Sequence, residues 1–159
     1  MLFRSAGCAA LERLDALGCA LTDVSFLSGC EKLYVLNLAD NRIADTSPIR
    51  LQPDKYGTKV DLRGNGLREL RLPAVRYDSL ILLGDPIDDL STLEGASGTR
   101  LVFDYSAGVD YAALAQTGFT QLVVLDCPLD TQVVLKDTLG SYRVKYMTAQ
   151  EFIDSEKGN

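Results

Sequence analysis

One stretch of eleven residues, Leu33 to Ile43, constrains the fold of this chain more than any other. It reads Leu-Tyr-Val-Leu-Asn-Leu-Ala-Asp-Asn-Arg-Ile. In an extended strand, Leu36 and Leu38 point to one side of the backbone and Asn37 points to the other. After a turn, the Asn41 amide is suited to bond backbone groups that the turn leaves unpaired. A single unit of this kind cannot bury its own apolar face, so copies of it must stack beside it.

Equivalent units recur along nearly the whole chain. With Leu33 as a first position, the first positions of seven units are Leu11, Leu33, Gly57, Tyr77, Gly98, Phe119 and Ser141, spaced by 22, 24, 20, 21, 21 and 22 residues. The first position is poorly kept, but the fourth and sixth are apolar in every unit. The fourth-position residues are Leu14, Leu36, Val60, Leu80, Leu101, Leu122 and Val144. The sixth-position residues are Ala16, Leu38, Leu62, Leu82, Phe103, Val124 and Tyr146.

Three later positions of the unit support the same alignment. The ninth position holds small side chains that form hydrogen bonds within turns: Cys19, Asn41, Asn65, Asp85, Ser106 and Cys127. The eleventh is apolar except for one glycine: Leu21, Ile43, Leu67, Ile87, Gly108 and Leu129. The thirteenth is acidic in five of six units: Asp23, Asp45, Glu69, Asp89, Asp110 and Thr131.

This spelling resembles the leucine-rich repeat, and the acidic row resembles its 22-residue bacterial and signalling subclass. The resemblance extends from Leu11 to about Ala149. It implies one domain over residues 1–159, an α/β repeat solenoid forming a right-handed horseshoe segment. A parallel β-sheet would line the concave face, and short helical, 3-10 or extended returns would form the convex face. The resemblance also implies a binding protein that works without turnover or cofactor.

The two ends of the chain leave alternatives open. Residues Ala9 to Leu17 alone also suit an amphipathic helix, but the phrase Cys-x-x-Leu-x-x-Leu occurs at both Cys8 and Cys30, which favours a strand. No evident shield precedes the first unit, so we expect a piece of a longer protein.

At the other end, the segment Thr148 to Glu151 has the spacing of a helix capping box. We therefore predict that residues 148–159 form a C-terminal cap and tail. In this cap, Phe152 and Ile153 fold back over the last strand, and residues 154–159 are solvated.

Composition disfavours several classes of function. The chain has no histidine, which removes Ser–His–Asp and Cys–His catalysis and mixed zinc sites. Its net charge of −6 argues against binding nucleic acid through phosphates. It has no run of about 18 apolar residues, so no membrane span is expected. We predict a protein that is not an enzyme and uses no metal or cofactor.

The four cysteines indicate a compartment only weakly. They form no CxxC pair, and their positions in the unit favour buried free thiols. The alternative is a Cys8–Cys30 disulfide, because adjacent units bring that row together. Free thiols and the absence of a signal peptide favour the cytoplasm. A longer, exported parent chain remains the alternative.

The residues that point away from the core predict a binding surface on the concave face. Fifth-position residues of three consecutive units, Ile81, Val102 and Val123, form an apolar centre with a charged and aromatic rim, which is typical of protein-binding surfaces. The predicted partner-binding residues are Ile81, Leu83, Arg100, Val102, Asp104, Tyr105, Val123, Leu125, Asp126 and Lys145.

Two other interpretations of this surface stay open. Parallel sheets are usually covered on both faces, so an adjoining domain or a second copy of the chain would cover the apolar centre. Alternatively, β-branched residues are simply good strand formers. The predicted function is thus a protein–protein interaction module. The alternative is a structural or self-assembly element that forms homo-oligomers.

Overall fold

A single seven-stranded sheet organises the chain, and its strands follow one another in sequence order. The computed structural model describes residues 8–55 and 57–157. The strands are β1 (Arg13–Asp15), β2 (Val35–Asn37), β3 (Thr58–Asp61), β4 (Arg76–Leu82), β5 (Ser97–Asp104), β6 (Gly118–Leu125) and β7 (Val144–Met147). Every neighbouring pair is parallel. The predicted parallel sheet is confirmed.

The strands pair in the register of the aligned sequence rows. Leu36 lies opposite Leu14 and Val60, and Leu101 lies opposite Leu80 and Leu122. All six are fourth-position residues. Because β1 is a strand that pairs with β2, the alternative of an amphipathic helix over residues 9–17 is wrong.

The connections between strands differ in conformation but bury equivalent residues. The helices among them are the 3-10 helices Ser25–Gly29, Ser91–Leu93 and Tyr111–Gln116 and the α-helix α1 (Leu129–Leu139). The described residues between β3 and β4 form no helix, as the proline at position 73 predicts. Five returns place an aliphatic side chain in the core at the equivalent position: Leu27, Ile49, Leu93, Leu114 and Leu135.

The acidic thirteenth-position row shapes the start of these returns. The Asp23, Asp45 and Asp89 carboxylates each accept a hydrogen bond from the backbone N–H two residues later, at 2.8, 2.9 and 2.8 Å. In two of them, bonds from the serine that follows lower the carboxyl pKa: Ser47 for Asp45, and Ser91 for Asp89. Local turn geometry therefore accounts for these acids.

The fourth- and sixth-position side chains lie on one side of the sheet, the core face. Between this face and the returns, they form the main hydrophobic core. At the first position, the Tyr77 and Phe119 rings are buried and stack with their centroids 6.2 Å apart. Gly98 lies between them in the strand register. In these three units, two rings fill the space of three first-position side chains, which accounts for the glycine at position 98.

The ninth-position residues form a ladder of hydrogen bonds beside the sheet. The N–H of Leu21 donates to Asn41 Oδ1 at 2.9 Å, and that of Ile43 donates to Asn65 Oδ1 at 3.0 Å. The Asn41 amide also donates to the Leu38 carbonyl at 2.8 Å. These bonds satisfy turn backbone as the sequence predicts.

An aspartate replaces asparagine in the next rung of this ladder. Asp85 Oδ1 accepts bonds from the N–H groups of Asn65 and Leu67 at 3.0 and 2.9 Å. Asp85 Oδ2 is buried, and no group of the described residues forms a hydrogen bond with it. An asparagine would have its NH₂ group at this place, and a charged carboxylate has no proton to donate there.

The cysteines are all free thiols, but they are not all buried as predicted. Cys30 and Cys127 are buried, Cys8 is half-buried and Cys19 is exposed. Burial and a hydrogen bond with the Cys8 thiol raise the pKa of Cys30 to about 11. Burial also raises the pKa of Cys127.

Thiol labelling at pH 8 is therefore expected to have a single fast phase, from Cys19. The thiolate is the reactive form and must be reached by the reagent, so the exposed thiol of Cys19 is favoured over the buried thiols of Cys30 and Cys127. Timed reaction with Ellman's reagent measures this directly. A Cys19→Ser variant should lose the fast phase and a Cys30→Ser variant should keep it. A fast phase that survives Cys19→Ser would contradict the assignment.

Candidate functional site

The C-terminal helix α2 (Ala149–Lys157) lies on the outer face, the side of the sheet opposite the core face. Its start is the predicted capping box. Glu151 N–H donates to Thr148 Oγ1 at 3.2 Å, and Thr148 N–H donates to Glu151 Oε2 at 2.7 Å. The helix continues to Lys157, and within the predicted tail Asp154, Ser155 and Lys157 are exposed whereas Glu156 is half-buried. Residues 158 and 159 lie outside the described residues.

Phe152 fixes the position of α2. Its side chain is 1% exposed and packs in a second hydrophobic cluster, which is separate from the main core. The other buried members come from β4, β5 and β6, and we call them the apolar strip: Ile81, Val102, Val123 and Leu125. The sequence predicted that Phe152 would fold back over the last strand. Its cluster includes the half-buried Met147 of β7 and extends further, to buried residues of β4, β5 and β6.

The prediction of an open apolar surface is therefore wrong for four of the ten residues. The apolar strip is buried, with Val102 at 0% exposure. Leu83 is half-buried and packs against the same cluster. The physical reason is the one that the sequence left as an alternative, since a parallel sheet buries both faces. The cover comes from this chain itself.

The predicted rim residues divide between two regions. Arg100 and Asp104 are half-buried on the outer face, whereas Asp126 and Lys145 are exposed. Tyr105 does not belong to the rim. It packs against the main core, and its ring stacks on Tyr111 with centroids 6.0 Å apart.

Arg100 is the polar anchor between the sheet and α2. Its Nη1 forms an ion pair with Glu156 Oε1 at 3.1 Å. Its guanidinium carbon lies 5.8 Å from the centre of the Phe152 ring, within the range of a cation–π contact. Its Nη2 also donates to Ser79 Oγ at 3.5 Å. One side chain of β5 thus joins β4 to the C-terminal part of α2.

Acidic residues gather near the carboxyl ends of β4 to β6. Asp104 Oδ2 accepts a bond from Gly84 N–H at 2.5 Å, and Asp126 Oδ1 accepts one from Ala149 N–H at 3.4 Å. Burial and then the charge of Asp126 raise the pKa of Asp104, although the Gly84 bond opposes this. The negative charge suits the first turn of α2.

A groove of about 490 Å³ remains open on the outer face beside α2. It is lined by third- and fifth-position side chains of β2 to β6, and Glu156 of α2 lines it too. Lys59 pairs with Asp78 at 3.4 Å, and Asp61 forms an ion pair with Arg63. Both signs of charge thus line the groove, together with apolar side chains such as Val35 and Ile81.

The lining of this groove offers several kinds of polar group. The part of the chain that the structure describes holds no group of three or more carboxylate or thiol side chains placed to bind a metal ion. The groove offers amide, hydroxyl, ammonium and carboxylate groups, and each is suited to hydrogen bonding with another protein chain.

Sequence reasoning missed the groove and the role of α2 for different reasons. The groove is formed by residues that point away from the core: Asn37, Lys59, Asp61, Ser79 and Gln121. The predicted binding surface was based on the apolar side chains of the same face instead. The seating of α2 had a weaker signal. Ala149 and Phe152 are three residues apart, and Glu156 follows four residues later, so all three lie on one helix face.

No protein-family model and no curated protein matches this chain. Among residues 8–55 and 57–157, no helix has the length and apolar character needed to span a lipid bilayer. The fold and the outer face are therefore the basis for assigning a function.

Proposed function

We propose that this chain is a leucine-rich repeat solenoid that works as a protein-interaction module, without catalysis and without a cofactor. The support for the solenoid is the agreement between the sequence rows and the strand register. It is strengthened by the asparagine ladder, which links the turns of the first three units. Such an architecture is suited to presenting a long, rigid surface.

The observation that carries the binding function is the open groove beside α2. The main core and the second cluster bury most apolar side chains of the sheet, and polar side chains of five strands, β2 to β6, line the groove. A surface with both signs of charge favours a protein segment over a uniform polyanion, because electrostatic complementarity sets specificity. The net charge of −6 agrees with this preference.

Site-specific photo-crosslinking tests the proposal. A benzophenone amino acid is placed at Gln121 or Lys59 in the groove, with Asp137 on α1 as the matched control, and each protein is irradiated in lysate from its native cells. We expect one discrete adduct from both groove positions and none from Asp137. Mass spectrometry should identify a different protein in that adduct. Adducts from Asp137 alone would contradict the proposal.

A second candidate function is self-assembly, and a separate observation favours it. Large exposed apolar side chains concentrate in the last unit, where Leu129 is 82% and Tyr142 is 90% exposed, together with Val133 and Val134 on α1. Within the described residues, β7 pairs only with β6, so its outer edge offers unpaired backbone groups.

Sedimentation velocity over a hundredfold range of concentration separates the two candidates. Self-assembly predicts a mass that rises with concentration and that Val133→Glu returns to the monomer. The matched control is Leu17→Glu, which places the same charge at an exposed leucine of the first unit. A monomer at every concentration would exclude self-assembly and leave the interaction module.

A further inference from the structure

The apolar strip is wide enough to pack against one helix. Ile81, Val102 and Val123 lie opposite one another in three adjacent strands. Neighbouring strands are about 4.8 Å apart, so these side chains span about 10 Å. That is the width of one α-helix with its side chains. In this structure, α2 packs against the apolar strip.

Few interactions hold α2 in place. Phe152 is its one buried residue, and its next apolar residue, Ile153, is 42% exposed. The Arg100–Glu156 ion pair is partly exposed on both sides, so solvent weakens it. The bond from Ala149 to Asp126 is long, at 3.4 Å. A single residue, Thr148, joins α2 to β7.

The helicity of α2 also depends on its docking. A helix of nine residues is marginal in water by itself, because nucleation costs more than so few hydrogen bonds return. Release from the strip and loss of helix are therefore one event. A competing helix that uses more than one buried anchor gains more apolar contact than α2 does.

We infer that the apolar strip is the docking site for an amphipathic helix of a partner protein, and that α2 occupies it in cis until that helix displaces it. This inference rests on the proposed function, because it names the chemical class of the partner. α2 itself gives the recognition pattern. A small residue is followed three positions later by an aromatic residue, and an acid follows four positions after that to meet Arg100.

The occupant is a helix from a different protein and not α2 from a second copy. An exchanged α2 would bring the same single aromatic anchor and the same ion pair, so it would gain no contact. It would also lose the advantage of being tethered to its site. A helix with further apolar anchors gains contact at the half-buried Leu83 and Met147, which border the strip.

A labelled peptide tests the site on the full chain. The probe carries the sequence of residues 148–157 with Lys at position 150, joined by a lactam to Asp154. These positions are exposed and already bonded in α2, at 2.9 Å. Fluorescence anisotropy measures its binding to the wild type and to Phe152→Ala. Ile153→Ala is the matched control on the solvent side of the same helix.

We expect Phe152→Ala to bind the probe at least tenfold more tightly than wild type or Ile153→Ala. Release of α2 from the apolar strip raises the fraction of molecules that are able to bind the probe. The apparent dissociation constant of the probe falls in proportion. Because Phe152 lies outside the main core, far-UV circular dichroism should show the sheet intact. This control excludes general unfolding as the source of binding.

A charge exchange gives the second measurement. In the Phe152→Ala background, Arg100→Glu should weaken the probe at least threefold, because it replaces an ion pair by repulsion. A probe with Glu156→Lys should recover that loss on Arg100→Glu and bind less well to Arg100. Nonspecific binding to an exposed apolar face would not follow the sign of the charges.

Three results would overturn the inference. The first is equal affinity of the probe for wild type and Phe152→Ala. The second is undiminished binding of a probe with Phe152→Ala. The third is a wild-type dimer in light scattering that the probe converts to a monomer. This result would mean that α2 of a second copy occupies the apolar strip. The crosslinks from Gln121 and Lys59 report on the groove itself, so the interaction function is judged separately.

Discussion

Replacing Gly98 by alanine is expected to lower the free energy of unfolding by about 3 kcal/mol or more. A Cβ atom built there lies 1.8 Å from the carbonyl oxygen of Tyr77 and 2.7 Å from its carbonyl carbon. Both are backbone atoms of β4, which is held by neighbours on both sides. The clash cannot be relieved by rotating a side chain, so the strands must separate or shift.

Urea unfolding followed by circular dichroism measures this loss, with Gly95→Ala as the control. Gly95 has a positive φ of 79°, but a Cβ there meets nothing within 4 Å. It should lose only about 1 kcal/mol, from backbone strain. Similar losses in the two variants would show that β4 and β5 are not packed as closely as this register requires.

Asp85→Asn is expected to stabilise the protein by about 1–3 kcal/mol at pH 7.5. Burial raises the pKa of Asp85 to about 6, despite bonds from backbone N–H groups, and the charge of Asp104 adds to the shift. The folded state therefore binds a proton more tightly than the unfolded state does. An amide supplies the missing donor without a charge, as Asn41 and Asn65 do in the same ladder.

The sign of this effect gives it a pH dependence. For a carboxyl with a raised pKa, the stabilisation of the protonated form is complete below the unfolded value near 4 and is lost as pH rises through about 6. The advantage of Asp85→Asn should thus shrink between pH 7.5 and pH 4.

Thermal unfolding across this range tests the dependence, with the exposed Asp137→Asn as a control for net charge. An advantage that stays constant with pH would mean that the Asp85 carboxyl is not the titrating group.

The sheet was predictable because each row of the unit repeats one physical requirement. The aliphatic fourth and sixth positions must all face the same core, so their alignment fixes the strand register. The asparagines at 41 and 65 were equally predictable, since the turn always leaves the same backbone groups unpaired. Asp85 fits the row by size, but its cost depends on the burial of one oxygen, which the sequence does not express.

The outer face was less predictable because its contacts are not periodic. The row Ile81, Val102 and Val123 was correctly identified as apolar, but its cover comes from a helix that has no equivalent in the other units. The capping box predicted where α2 begins and not the direction in which it runs. The Arg100–Glu156 pair spans 56 residues, far beyond the spacing of one unit, and no local pattern encodes it.

The position of α2 also changes the order in which the strands should separate during unfolding. In a stack of repeats, each strand is held by its immediate neighbours, so the ends fray one unit at a time. α2 crosses this order, since it starts after β7 and packs on residues of β4, β5 and β6. It therefore connects the C-terminal end of the stack to strands β4, β5 and β6. Strands β1, β2 and β3 lie outside the part of the sheet that the second cluster joins to α2. They are therefore the strands that can separate without releasing α2.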